Sequence, residues 1–259
     1  DFNLDASELA NITDGFASIT IGSSTQTGNI TANAHTFTDP VSIIQDTSGG
    51  GSVTSAGHIQ NSGGGISLTS GTAGISLGES LTTTSGDIEI NGAVTLSGAS
   101  TLTTNTAGDV DFSSTVDGGN NLALAVAGTT TFNGAVGSTT DVGDGTGASI
   151  AITSTGTTSF ESTVDGASGI TQAGAAGELT FKDNVTLADG NTATNMAGAV
   201  TLDGLNWSGY DGLTIGALTL STGAVDLNSN GGNIQTAAIT GGGQNLTFNS
   251  GAAGSVTVT

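Results

Sequence analysis

The side chains able to do chemistry are few and of one sign. The 259-residue chain carries 22 carboxylates, two imidazoles, one amine (Lys182), no guanidinium and no thiol. A β-elimination of uronate sugars needs a cation to neutralise the carboxylate and a base to take the proton, and Lys182 is the single candidate cation. Glycoside hydrolysis needs only two carboxylates at a fixed separation. Yet no compact acidic group with a partnering imidazole stands out, and His35 in "NAHTF" and His58 in "AGHIQ" read as polar corner residues. Catalysis is therefore not expected. Asp141 and Asp144 fall together in "DVGDGTG" (141–147). Calcium wants several carboxylate and carbonyl oxygens; neither the Gly-Gly-x-Gly-x-Asp frame nor the twelve-residue helix–loop–helix ligand set is present. A solvated turn is the stronger reading, with calcium the one cofactor left open. Trp207 and Tyr210, the only Trp and Tyr, stand three residues apart in "NWSGYDG". They form a candidate stacking platform for a sugar ring, with Asp211 or Asn206 taking hydroxyls. The competing reading, which the residues favour, puts Trp207 over the core at a wide corner.

These residues need a scaffold, and composition restricts it. Apolar residues make up 35% and aromatics only 4%, so a core must be narrow and aliphatic. The 45 Thr, with Val and Ile, favour strands over helices. Regular β-branched positions argue against disorder despite 44 Gly. A net charge of −21 without a basic patch repels nucleic acid and anionic membrane surfaces. No apolar run approaches the ~20 residues that cross a bilayer as a helix. Without Cys the fold does without disulfides, which suits an exported chain.

The organising feature is a repeat. "TAGDVDFSSTVDG" (106–118) returns as "STGTTSFESTVDG" (154–166). A Gly followed four residues later by an apolar residue recurs as Gly86/Ile90, Gly108/Phe112, Gly128/Phe132, Gly156/Phe160, Gly177/Phe181, Gly198/Leu202 and Gly223/Leu227. The steps are 22, 20, 28, 21, 21 and 25 residues, a solenoid period. Alternation within each unit, as in Leu122, Leu124 and Val126, is the period of a strand. The expected fold is all-β: a parallel β-helix with coils of about 20–25 residues, one domain over 1–259. Phe112, Phe132, Phe160 and Phe181 should stack in one inward column. The Gly before each is expected to turn a corner at positive φ, and Val-Asp-Gly the next. The 28-residue step predicts a loop thrown out at 137–149. Coils over 17–85 should be less regular than those over 86–259, and Asp5 should cap a short helical turn within 1–16. Lys182 should point outward between Glu161 and Asp203, each 21 residues away. Thr-rich runs such as "TLTTNT" and "GTTTF" raise ice binding, but the equivalent positions after each Gly are broken by acids and apolar residues.

The phrase "LDASELANITDGFASITIGSSTQTGNITA" resembles a module of very large filamentous-haemagglutinin-like exoproteins, and units such as "AVAGTTTFNGAVG" are similar to their coils. The resemblance implies a right-handed β-helix shaft, secreted or displayed at the cell surface after export through a partner outer-membrane β-barrel. It also implies a part in adhesion or biofilm cohesion. The Asn-Pro-Asn-Gly-type phrases of that family's secretion domain are missing from this sequence, so the likeness is to shaft. A structural and adhesive fibre element is the expected function, with a carbohydrate-binding or carbohydrate-active β-helix as the alternative. The expected partners are other copies stacked end to end and surface glycans, because "QNLTFNSGAAGSVTVT" (244–259) reads as an uncapped strand edge.

Overall fold

The computed structural model describes residues 2–46, 48–174 and 176–259. Short strands of two to five residues follow one another with little else between them than turns. Every strand pairing is parallel, as "one coil, one rung" demands when the chain always winds the same way. The coils, about eleven in all, stack into three sheets. The first sheet has eleven strands, from Ile19–Gly22 to Ile239–Gly241; the second has eleven, from His35–Phe37 to Val256–Val258. The third runs as six strands from Phe2–Leu4 to Val116–Asp117, then five from Val164–Gly166 to Leu246–Asn249. Val136 joins its two parts by bridging Val116 and Val164. A typical coil visits the first sheet at Ile88–Asn91, the third at Val94–Leu96 and the second at Ser100–Thr104. The fold is a parallel β-solenoid.

Alternating side chains fill the interior, since successive strand residues point to opposite faces. In the first sheet one inward column runs Ile21, Ile43, Leu68, Ile90, Phe112, Phe132, Phe160, Phe181 and Leu202, each in register with the next. The four rings stack nearly parallel, with centroids 4.5, 4.7 and 4.9 Å apart. The column therefore continues through the early coils with aliphatic residues. After Leu202 it passes to Leu220, not Leu227. Leu227 lies on the third sheet, between Trp207 and Phe248. The step from Val200 to Leu218 is only 18 residues; the phrase "IGALTL" (215–220) keeps the Gly-to-Leu spacing, with Ile where the other units have a small residue.

The glycine column is also real, but its cause differs from the expectation. Among its members only Gly108 has positive φ, at 105°. The others are required by close approach: a Cβ on Gly86, Gly108, Gly128, Gly156, Gly177 or Gly216 would overlap backbone of the preceding coil. At this corner, between the second and first sheets, an inward polar side chain clasps the turn. Asn61 donates to Gly65 O at 3.0 Å, Thr83 to Gly86 O at 2.5 Å, Thr104 to Gly108 O at 2.9 Å and Gln172 to Gly177 O at 2.6 Å. At Gly86 and Gly177 the clasp satisfies a carbonyl that takes no backbone amide among the described residues, whereas Gly65 O also accepts from Val41 N at 3.0 Å and Gly108 O from Gly128 N at 3.1 Å.

The long coil does not throw its extra residues clear. Val142 is fully buried and bridges Gly166, so 137–149 is a widened corner pinned by its own apolar residue. At the amino end Asp5 caps the helix Ala6–Leu9 in a capping box with Glu8, and Leu9 is buried over the first coil.

One interior detail runs against the general rule that buried polar groups are paired. Thr130 and Thr158 sit in register, inward, between Val110 and Leu179. Neither hydroxyl reaches a hydrogen-bond partner. Thr130→Val keeps the shape and removes the desolvated hydroxyl, so thermal unfolding should show a gain of about 1 kcal/mol. A loss of that size would show that the hydroxyl is satisfied.

Candidate functional site

The structure separates Trp207 from Tyr210 and Asp211, the other two residues of the proposed sugar platform. Trp207 belongs to the third-sheet strand Asn206–Ser208, in register with Val185 and Leu227, and is 1% exposed. Its ring meets Phe181 edge-on at 5.3 Å, closing the aromatic column from the neighbouring sheet. It is a core residue and presents no face to a ligand. This corrects the platform reading: alternation along the strand sends Trp207 inward, between exposed Asn206 and half-buried Ser208. Tyr210 turns out at the corner that follows, 40% exposed, and with Asp189, Asp211, Asn230 and Asn233 lines an open hollow. Asp211 and Asn230 have φ of 62° and 47°, the only left-handed non-glycine residues among those described. They mark the same corner one coil apart, and Asn230 holds it by donating to Gly209 O at 2.9 Å. Asp and Asn are the types that best tolerate this backbone.

Asp141 and Asp144 lie on the widened corner. The Asp144 carboxylate accepts from the Thr146 amide at 2.9 Å, and its own amide donates to Asn121 Oδ1 at 3.1 Å. The Thr146 bond holds its carboxyl below the ordinary range. Asp141 faces Asp165 instead, whose carboxyl is pushed up first by burial and further by the charge of Asp141. Among the described residues no group of three or more His, Cys, Asp or Glu is placed to hold a metal ion.

Among the described residues neither imidazole forms an ion pair with a carboxylate. His35 packs edge-on to Phe37 at 4.5 Å, and burial lowers its pKa. His58 meets Thr82 Oγ1 at 2.9 Å and the Gln60 amide at 3.2 Å on the outside of the second sheet. Lys182 pairs with Glu161 at 2.7 Å, the one salt bridge among the described residues. Lys182 and Ser159 together hold the Glu161 carboxyl below its ordinary range. Asp203, in register one coil on, takes the Thr222 amide and hydroxyl instead. The charge ladder is thus half of what the 21-residue spacing predicts, and so exposed a pair contributes at most ~1 kcal/mol.

What the sequence reading did not single out is the outer surface of the sheets themselves. Outward strand positions carry Glu89 and Asp111 on the first sheet and Asp117, Asp165 and Asp226 on the third. The eleven strands of the second sheet carry no carboxylate and no amine. The signal was available in the alternation, but only once each strand is assigned to its sheet.

Comparison with known protein families, with curated proteins and with solved structures gives no match. The class is defined by the chain's own architecture: a parallel β-solenoid repeat protein.

Proposed function

We propose that the chain is a non-catalytic structural and adhesive shaft of a secreted or surface-displayed fibre, assembling end to end or as part of a longer chain. The observation that supports it is the stack itself, about eleven coils joined by parallel ladders into one continuous rod. At the amino end Leu4 and Leu9 lie over the first apolar layer with Ile21, Ile30 and Phe37. At the carboxyl end Leu246 and Phe248 are half-buried, and Val256 and Val258 are 43% and 54% exposed. Val256–Val258 is the last strand of its sheet among the described residues, and its outer edge suits either a further coil of a longer chain or a coil of another copy. The likeness of the amino-terminal phrase to filamentous-haemagglutinin-like shafts supports surface display.

The test is concentration-dependent scattering with amide exchange. At low concentration a rod ~50 Å long is expected, from coil spacing of ~4.8 Å, with fast exchange over 246–259. On concentration the rod should lengthen while those amides slow. A monodisperse monomer whose 246–259 amides are already slow when dilute would defeat the reading.

A further inference from the structure

The neutral second sheet is a large uncharged surface on a chain of net charge −21. Its outward positions form two columns. One runs Thr101, Ala123, Ala151, Thr171, Asn195, Thr214 in register. The other runs Thr36, Gln60, Thr82, Thr103, Ala125. The strand Ile150–Ile152 is the sixth of eleven, with five on either side, and it presents Ala151; its neighbour Leu122–Val126 presents Ala123 and Ala125. The methyl groups therefore sit at the middle of the sheet, and the hydroxyls and amides lie toward both ends. An apolar centre with a polar rim is the layout of a protein interface, with charge depleted at its core.

We propose that this sheet is a lateral docking surface for a second copy of the chain, two rods lying side by side about a two-fold axis near Ala151. Charge selects this face. A second copy brings another −21, and contact through the first or third sheet would set Glu89, Asp111, Asp117, Asp165 or Asp226 against like charges. Like-charge juxtaposition across an interface costs several kcal/mol. The second sheet alone offers contact with no carboxylate on its strands. Its size is adequate: eleven strands at ~4.8 Å spacing give a length of ~50 Å, and strands of this size a width of ~10–15 Å. The area is about 500–700 Å2 per copy, so the pair buries about 1,000–1,400 Å2, at the lower end of specific interfaces. A two-fold contact is self-complementary by construction: the alanines meet alanines and the rims meet rims. Lateral pairing goes beyond end-to-end stacking and uses different residues.

Carboxylates on the flanking corners, Glu79, Asp87 and Asp109 among them, still repel across the pair. Salt should therefore strengthen it. Sedimentation equilibrium of the full chain is expected to show a dimer about tenfold tighter in ~0.5 M than in ~0.05 M NaCl. Ala151→Glu should weaken dimerisation about 100-fold, whereas Thr219→Glu, the same charge on the exposed first sheet, should leave it within about twofold. Circular dichroism of both variants checks that each keeps its strands. Phe248→Lys, on the last strand of the third sheet, separates the two modes of assembly: it removes end-to-end species and spares the lateral dimer. The proposal is overturned by a chain that stays monomeric at high salt, or by Ala151→Glu and Thr219→Glu acting alike. It is equally overturned if Ala151→Glu loses its fold, provided Thr171→Glu folds and dimerises like the unaltered chain. A monomer whose second-sheet amides are protected by an uncharged polysaccharide would assign the face to a glycan instead.

Discussion

Phe132→Ala is expected to cost about 3–5 kcal/mol, the range for emptying an aromatic site in a core. Phe132 is fully buried, with Phe112 at 4.5 Å on one side and Phe160 at 4.7 Å on the other. Truncation removes two ring stackings, each worth ~0.5–1.5 kcal/mol beyond area burial, and leaves a gap that parallel ladders above and below hold open. Phe132→Leu should cost much less, roughly 1–1.5 kcal/mol, because Ile90 and Leu202 occupy equivalent rungs of the same column. In a solenoid each coil contacts only its neighbours, so damage stays local. Hydrogen exchange should accelerate first in the strands Val110–Phe112, Thr130–Phe132 and Thr158–Phe160, with the first few coils little changed. Equal losses for the Ala and Leu variants, or uniform acceleration along the chain, would mean that the column does not carry the stability of the middle coils.

How much of this was legible from the letters alone depends on which force set each feature. The solenoid and its aromatic column were readable because burial repeats with the coil: Phe112 to Phe181 recur where stacking needs them. Asp5 was readable because capping is a local transaction between a side chain and the next three amides. The phase of the last units was not. Gly223/Leu227 imitates the repeat phrase on another sheet, and the short step to Leu218 hides the true partner Leu220. The fate of "NWSGYDG" followed from strand phase, which a turn-like string of Gly, Ser and Asn conceals: one position inward buries Trp207, and Tyr210 emerges at the corner. Thr130 and Thr158 look like ordinary strand residues, and only register shows two hydroxyls facing the core together. The neutral face of the second sheet was illegible for the same reason. Charge had been read along the chain, whereas solenoids display it down columns about 20 residues apart.

The glycine column separates two physical accounts that predict the same letters. If Gly156 were present for a left-handed turn, any residue tolerant of that backbone would serve there, Asn for instance. Its φ lies outside that region, and the constraint comes from the preceding coil: a Cβ would overlap Gly128 O and stand 2.8 Å from Ala127 O. Both obstacles are backbone, so no rotamer change relieves them. Gly156→Ala must therefore lift this coil off the preceding one, weakening the ladder bonds between them, such as Thr130 N to Thr157 O and Glu161 N to Phe132 O. The expected loss is about 3 kcal/mol, the upper part of the overpacking range, and Gly156→Asn should lose at least as much. Gly50 supplies the contrast, since a Cβ there meets nothing within 4 Å and its φ is ordinary. Gly50→Ala should be neutral or gain ~0.4–1 kcal/mol by restricting the unfolded chain. Denaturant titrations of the three variants decide it. Should Gly156→Asn prove milder than Gly156→Ala, the corner is governed by backbone conformation after all. Should all three match the unaltered chain, the coils are spaced loosely enough to admit a methyl group, and close approach is not what selects glycine there.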